Sequence, residues 1–216
     1  MNKYYQHAPV LGIVTDNADP DGLARVKVSM TLFGDEVETD WIPVLTLYGS
    51  AECGAFMLPE IDDQVVIGFL GDNPDSPVVL GAIWNENMAP PETGENTDAD
   101  LNQDGNNSLK FIKSRSGHQI ILDDTDGKEK IQILAADGAT RFEFLAEDEL
   151  INIETDKDLT IKASGKLLIE AEEAEMKLDK GLKLEADGLA METKSKDMEI
   201  KASQNLKVEG SSVKLN

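Results

Sequence analysis

The stretch LTIKASGKLLIEAE, Leu159 to Glu172, reads as a helix by composition and as two strands by spacing. Leu, Lys, Glu and Ala all favour helix. Yet its apolar residues come in pairs two apart, Leu159 with Ile161 and Leu167 with Ile169. Residues two apart share one face of a strand but point to opposite sides of a helix. The pattern runs on through the tail. Apolar pairs begin at Ile151, Leu159, Leu167, Met176, Leu182, Leu189, Met198, Leu206 and Val213, about eight residues apart. A coiled coil would space them by three and four. Gly165, Gly181, Gly188 and Gly210 would each weaken a helix by about 1 kcal/mol. The period of two therefore predicts short strands with a turn about every eight residues, a β-solenoid pattern.

One chain cannot close such a solenoid well, because each short strand offers two inward side chains. Three chains winding together solve this, since inward residues meet on an axis and strand edges pair between chains. The expected trimer core is Ile151, Ile153, Leu159, Ile161, Leu167, Ile169, Met176, Leu178, Leu182, Leu184, Met198, Ile200, Leu206 and Val208.

Residues 9–88 have a different texture. VLGIV, LARVKVSM, WIPVLTLYG, GAFMLP, QVVIGFLG and PVVLGAIW are short runs separated by Gly, Pro, Asp and Asn. Five or six strands in so short a span predict a small closed barrel of the OB type. The polar run from Asn85 to Ser108 reads as a linker or long surface loop. Strands resume at LKFIKS, with DDTDG turning Ile120–Leu122 back onto Ile131–Ile133. The expected division is an OB domain over 1–90, a linker over 91–108, a strand-built neck over 109–150 and the trimeric β-helix over 151–216.

Composition limits the partners. The net charge is −22, which repels nucleic acid and anionic membrane surfaces. No apolar run is long enough to span a bilayer, so no stable membrane anchoring is expected. The first residues lack the hydrophobic core of a signal peptide, and synthesis in the cytoplasm is the expectation. Aromatic residues make up 5% of the chain, so the core should be aliphatic. Cys53 is alone and reads as a small buried or half-buried residue.

Several segments, in order, carry a family resemblance. GIVTDNADPDGLARVKV, Asp40-Trp41, Pro59 followed by Asp63-Gln64-Val65, and Gly71 to Gly81 resemble the OB domain of VgrG proteins and of phage baseplate assembly protein V. Ser114 to Ile133 resembles the segment that leads into the VgrG β-helix. The resemblance implies a homotrimeric central spike of a contractile injection machine, such as a phage tail, a tailocin or an extracellular injection particle. It implies a baseplate hub bound at the N-terminal end, expected here as a separate polypeptide. Some spikes of the family close their apex with histidine-bound metal, and this sequence has no histidine after His118. Val213 and Leu215 instead continue the inward pattern and would dock a PAAR-type tip protein.

Chemistry-bearing motifs are sparse. His7 and His118 stand far apart, and Ser116-Gly117-His118 reads as turn chemistry. Asp100, Asn102 and Asp104 match the first positions of a calcium loop, but Phe111 replaces the bidentate Glu such a loop needs. Glu147-Asp148-Glu149 reads as a solvated turn. No nucleophilic triad or zinc motif is present, so neither an enzyme nor a cofactor is expected. The competing reading is a trimeric fibre-like module whose OB domain holds a protein or glycan. Fibres end in receptor-binding heads, whereas the repeat here runs to SSVKLN, which favours the spike.

Overall fold

Val26, Val28 and Met30 alternate with Arg25, Lys27 and Ser29, and this row becomes one wall of a barrel. The computed structural model describes residues 8–32, 34–94 and 101–212. It divides into one unit up to Thr160 and another from Ile161. Among the described residues the regular structure is all-β, apart from a single 3-10 turn at Leu70–Asp72.

The first eight strands are β1 (Val10–Asp16), β2 (Arg25–Leu32), β3 (Asp35–Glu38), β4 (Ile42–Pro43), β5 (Gly49–Ser50), β6 (Cys53–Gly54), β7 (Gln64–Phe69) and β8 (Pro77–Ala82). β1 lies between β2 and β7, and β8 follows β7, all antiparallel. β4 pairs with the start of β2. Val44 then bridges Val79 in parallel, and the Leu45 N–H donates to the Val79 carbonyl at 2.8 Å. The ring therefore closes in the order β1, β2, β4, β8, β7, leaving β3 outside it. Val14, Val26, Val28, Met30, Ile42, Val65, Ile67 and Val79 fill it. The interior is aliphatic, as the low aromatic content requires.

Two local devices hold the barrel together. Gly12 sits where β1 passes closest to its neighbours. A Cβ there would collide with the Val28 side chain and lie 2.9 Å from both Ile67 Cδ1 and the Ser29 carbonyl. Asp19 anchors the β1–β2 loop. Its carboxylate accepts N–H groups from Asp21, Leu23 and Arg25, and its oxygens meet Arg25 Nε at 2.8 Å and Nη2 at 2.7 Å. The Arg25 guanidinium, with these backbone donors, holds the Asp19 carboxyl far below the usual carboxylate range.

Residues 44–58 depart from the strand reading. WIPVLTLYG gives the barrel Ile42–Pro43 and the Val44 bridge, and GAFMLP supplies only Gly54 to a strand. The segment instead carries the two-residue hairpin of β5 and β6. Cys53 lies in that hairpin and is exposed, which corrects its expected burial. A hairpin tip has no layer above it to cover a small side chain; the Cys53 thiol only meets the Tyr48 hydroxyl, at 3.4 Å.

Candidate assembly interface

Five further strands form a simple antiparallel meander: β9 (Leu109–Lys113), β10 (Gln119–Asp123), β11 (Lys130–Leu134), β12 (Arg141–Leu145) and β13 (Leu150–Glu154). The DDTDG turn joins β10 to β11 with Ile120 opposite Ile133 and Leu122 opposite Ile131, as expected. Register then dictates the faces, because directly paired residues point the same way. One row reads Ile112, Ile120, Ile133, Phe142, Ile153, and the next reads Lys110, Leu122, Ile131, Phe144, Ile151. Except for Lys110 at one edge, this face is entirely apolar. Phe142 and Phe144 meet edge-on, with ring centroids 4.9 Å apart. Ile120, Leu122, Ile131, Ile133 and Ile153 all remain exposed. A groove of about 620 Å³ runs along the first row as far as Leu159.

The opposite face is polar at its centre. Gln132, Glu143 and Asn152 lie side by side on β11, β12 and β13. Gln132 Nε2 donates to Glu143 Oε1 at 2.6 Å, and Asn152 Nδ2 donates to Oε2 at 3.0 Å. Burial works against the Glu143 charge, yet these donors and the nearby Arg141 hold its carboxyl below the ordinary range. The two faces thus invert the usual rule. The sheet covers its polar row and leaves its apolar rows open to water. An open apolar face of this extent marks an interaction surface.

Residues 161–212 form no strand pairing, and every one of them is exposed. The backbone bends at Ser164–Gly165, Glu172, Asp179–Lys180, Asp187, Lys194–Lys196, Ser203–Gln204 and Ser211. The bends recur about every eight residues, matching the spacing read from the apolar pairs. Ile161, Ile169, Met176, Leu184 and Val208 are each more than half exposed.

The predicted trimer-core residues therefore fall in two places. Ile151 and Ile153 belong to β13 and join the open apolar face, whereas Leu159 precedes the strandless tail and those from Ile161 to Val208 lie in it. Val213, Leu215, Asp100 and His7 lie outside the described residues. Asp104 and Asn102 turn their oxygens onto the N–H groups of Asn106 and Asn107 within their own loop. Among the described residues no cluster of three His, Cys, Asp or Glu could hold a metal. His118 closes the Ser114 turn, and its Nδ1 accepts the Ala136 N–H at 3.1 Å. The spacing analysis missed Ile112, Ile120, Leu122, Ile131, Ile133, Phe142 and Phe144 as interface residues. Their signal was present as apolar residues two apart in each run.

Residues 10–84, the closed barrel, match the family model described as the type VI secretion system/phage-baseplate injector OB domain. The type VI secretion system spike protein VgrG5 of Pseudomonas aeruginosa is 30% identical over 129 residues, covering 54% of this chain and 16% of that protein. Residues 10–84 thus resemble the OB domain of the VgrG and baseplate assembly protein V family. The spike protein VgrG1a of the same organism is 27% identical over 60% of this chain and 21% of its own length. The Vibrio cholerae protein named actin cross-linking toxin VgrG1 is 24% identical over 60% of this chain and 11% of that protein. The chain spans about a fifth or less of the length of these curated relatives. Among the described residues no helix is long and apolar enough to cross a membrane.

Proposed function

We propose that the chain is the homotrimeric central spike of a contractile injection machine. In this reading it joins a baseplate hub to a tip and pierces the target envelope. The carrying observation is the apolar surface left open in one chain: both rows of the β9–β13 face and every apolar pair of residues 161–212. Leaving that much apolar area in water costs about 25 cal/mol per Å², and burying it against two more copies removes the cost. The inward residues of the three copies would then meet on one axis, with 109–150 as a neck and 151–216 as an intertwined β-helix below an OB domain over 1–90.

The spike function requires stiffness and no reaction, so we assign no enzyme activity, cofactor or metal. The hub is placed against the OB domain. Around its β5–β6 hairpin, Leu47 (94% exposed), Phe56 and Met57 offer an apolar surface with Glu52 as the one charge between Trp41 and Leu58. Val213 and Leu215 are placed at the dock for a PAAR-type tip. The protein would be made in the cytoplasm and built into the baseplate of a particle.

Light scattering on the purified chain tests the trimer. The expected mass is three times 23.5 kDa, independent of dilution over the micromolar range. A folded species at the mass of one chain contradicts the proposal. Imaging of the assembled particle should then place the protein on the tail axis.

A further inference from the structure

The barrel's charge is as one-sided as its β5–β6 hairpin is apolar. Residues 28–109 contain sixteen Asp and Glu and no Lys, Arg or His. Among the described residues the barrel's cations are Arg25 and Lys27, and both are engaged. Arg25 Nη2 meets Asp19 at 2.7 Å and Asp21 at 2.6 Å. Lys27 Nζ lies 5.4 Å from the centre of the Trp41 ring. Net negative charge keeps a protein soluble, and solubility alone accounts for acids spread over a wall. It does not account for an apolar patch set among them.

Leu45, Leu47, Tyr48, Phe56 and Met57 are each more than half exposed around the hairpin. Leu23, Leu45, Tyr48 and Phe56 also line a groove of about 510 Å³. Scattered exposed apolar side chains are ordinary, but a contiguous patch marks an interaction surface. The hairpin tip carries a second signal. Glu52 lies in the two-residue turn between Ser50 and Cys53, with a φ of 58°. A turn position at that angle ordinarily takes Gly or Asn, because a Cβ crowds the backbone there. The Glu52 carboxylate has no ion-pair partner among the described residues. It is therefore held at the tip against the backbone's preference and without a contact of its own in this chain. Such local strain gathers where a side chain meets a partner.

Resting on the hub reading, we propose that the β5–β6 hairpin seats in an apolar socket on a protein of different sequence, with a Lys or Arg at the rim of that socket pairing with Glu52. Leu47 and Phe56 are the anchors that enter it. A second copy of the barrel does not match this description. It would bring further carboxylates toward Glu52, while its Arg25 and Lys27 are already engaged. A socket with a cationic rim answers both features of the hairpin. Buried apolar anchors supply most of the strength of such a contact. Complementary charge adds selectivity and speed of encounter, and like charge rejects the wrong partner.

The test uses assembled particles from cells that produce the full chain. With Leu47→benzoylphenylalanine, irradiation should join residue 47 to a chain of different sequence, at a segment that carries Lys or Arg. A crosslink to another copy of this chain, to a segment without Lys or Arg, or to nothing overturns the proposal. Glu52→Gly supplies the second arm. Glycine relieves the turn, so the urea midpoint of the barrel should stay equal or rise. Retention of the chain in particles washed at about 0.1 M salt should nevertheless fall roughly threefold or more, and the gap should narrow as salt is raised. Retention equal to the parent, or a lowered urea midpoint, overturns the pairing of Glu52 with a partner. Absence of the unsubstituted chain from the particles overturns the hub reading itself, a failure distinct from a crosslink to the wrong chain.

Discussion

The barrel and the tail use the same alphabet to opposite ends. In β2, apolar residues two apart face inward and are buried at Val26, Val28 and Met30, because β1 and β4 pair with that strand. In the tail, Ile161, Ile169 and Ile200 repeat the same spacing and stay in water. In the proposed trimer the difference lies in who supplies the partner strand. Gly and Asp turns of several residues let the barrel strands fold back on one another. Tail bends every eight residues turn the chain without returning it to itself. A period of two specifies a strand face; the connections decide whether one chain or several cover it.

The sharpest way to break this contrast is a charge on the tail face. Ile161→Asp would place three carboxylates at one level of the proposed axis, where an unpaired charge cannot be solvated. Trimer should be lost by light scattering, while the barrel keeps its own cooperative unfolding. Survival of the trimer would mean that Ile161 faces outward. The barrel is expected to respond in the reverse sense to Gly12→Ala. Overpacking against Val28 and the Ser29 carbonyl should cost about 1–3 kcal/mol in urea unfolding, whatever the state of assembly. The smallest expected effect is at Asp19. Its carboxyl is held below the usual range in the folded barrel, so its contribution to stability is present above the ordinary carboxylate pKa. That contribution is lost as pH falls through the lowered value. Asp19→Asn should lower barrel stability at pH 7 and flatten this acid dependence. An unchanged acid profile would show that the Arg25 pairing contributes nothing.

Much of this was legible in the sequence, and the misses share a cause. The alternation in LARVKVSM, the DDTDG hairpin and the eight-residue bends all appear where the sequence places them. β3, the strand Asp35–Glu38, went unread because DEVE is exposed along its length and shows no apolar row. Residues 45–57 were read as strands because they are apolar, yet Leu45, Leu47, Tyr48, Phe56 and Met57 lie exposed around a two-residue hairpin rather than on a ladder. Cys53 failed for the same reason. The meander strands were seen, but their shared face was not, because it emerges only once register aligns Ile120 with Ile133 and Ile131 with Phe144. Spacing within one strand is local, whereas a face across five strands is a product of pairing.

The central claim is that residues 161–212 gain their strand partners from other copies, and hydrogen exchange of the purified full chain tests it most directly. Backbone amides there have no strand pairing within one chain, so protection can come only from a neighbour. The account predicts slow exchange through the extended segments, comparable with β1 and β7, with faster exchange near the bends. Fast exchange throughout 161–212 in a sample whose barrel stays protected would contradict it.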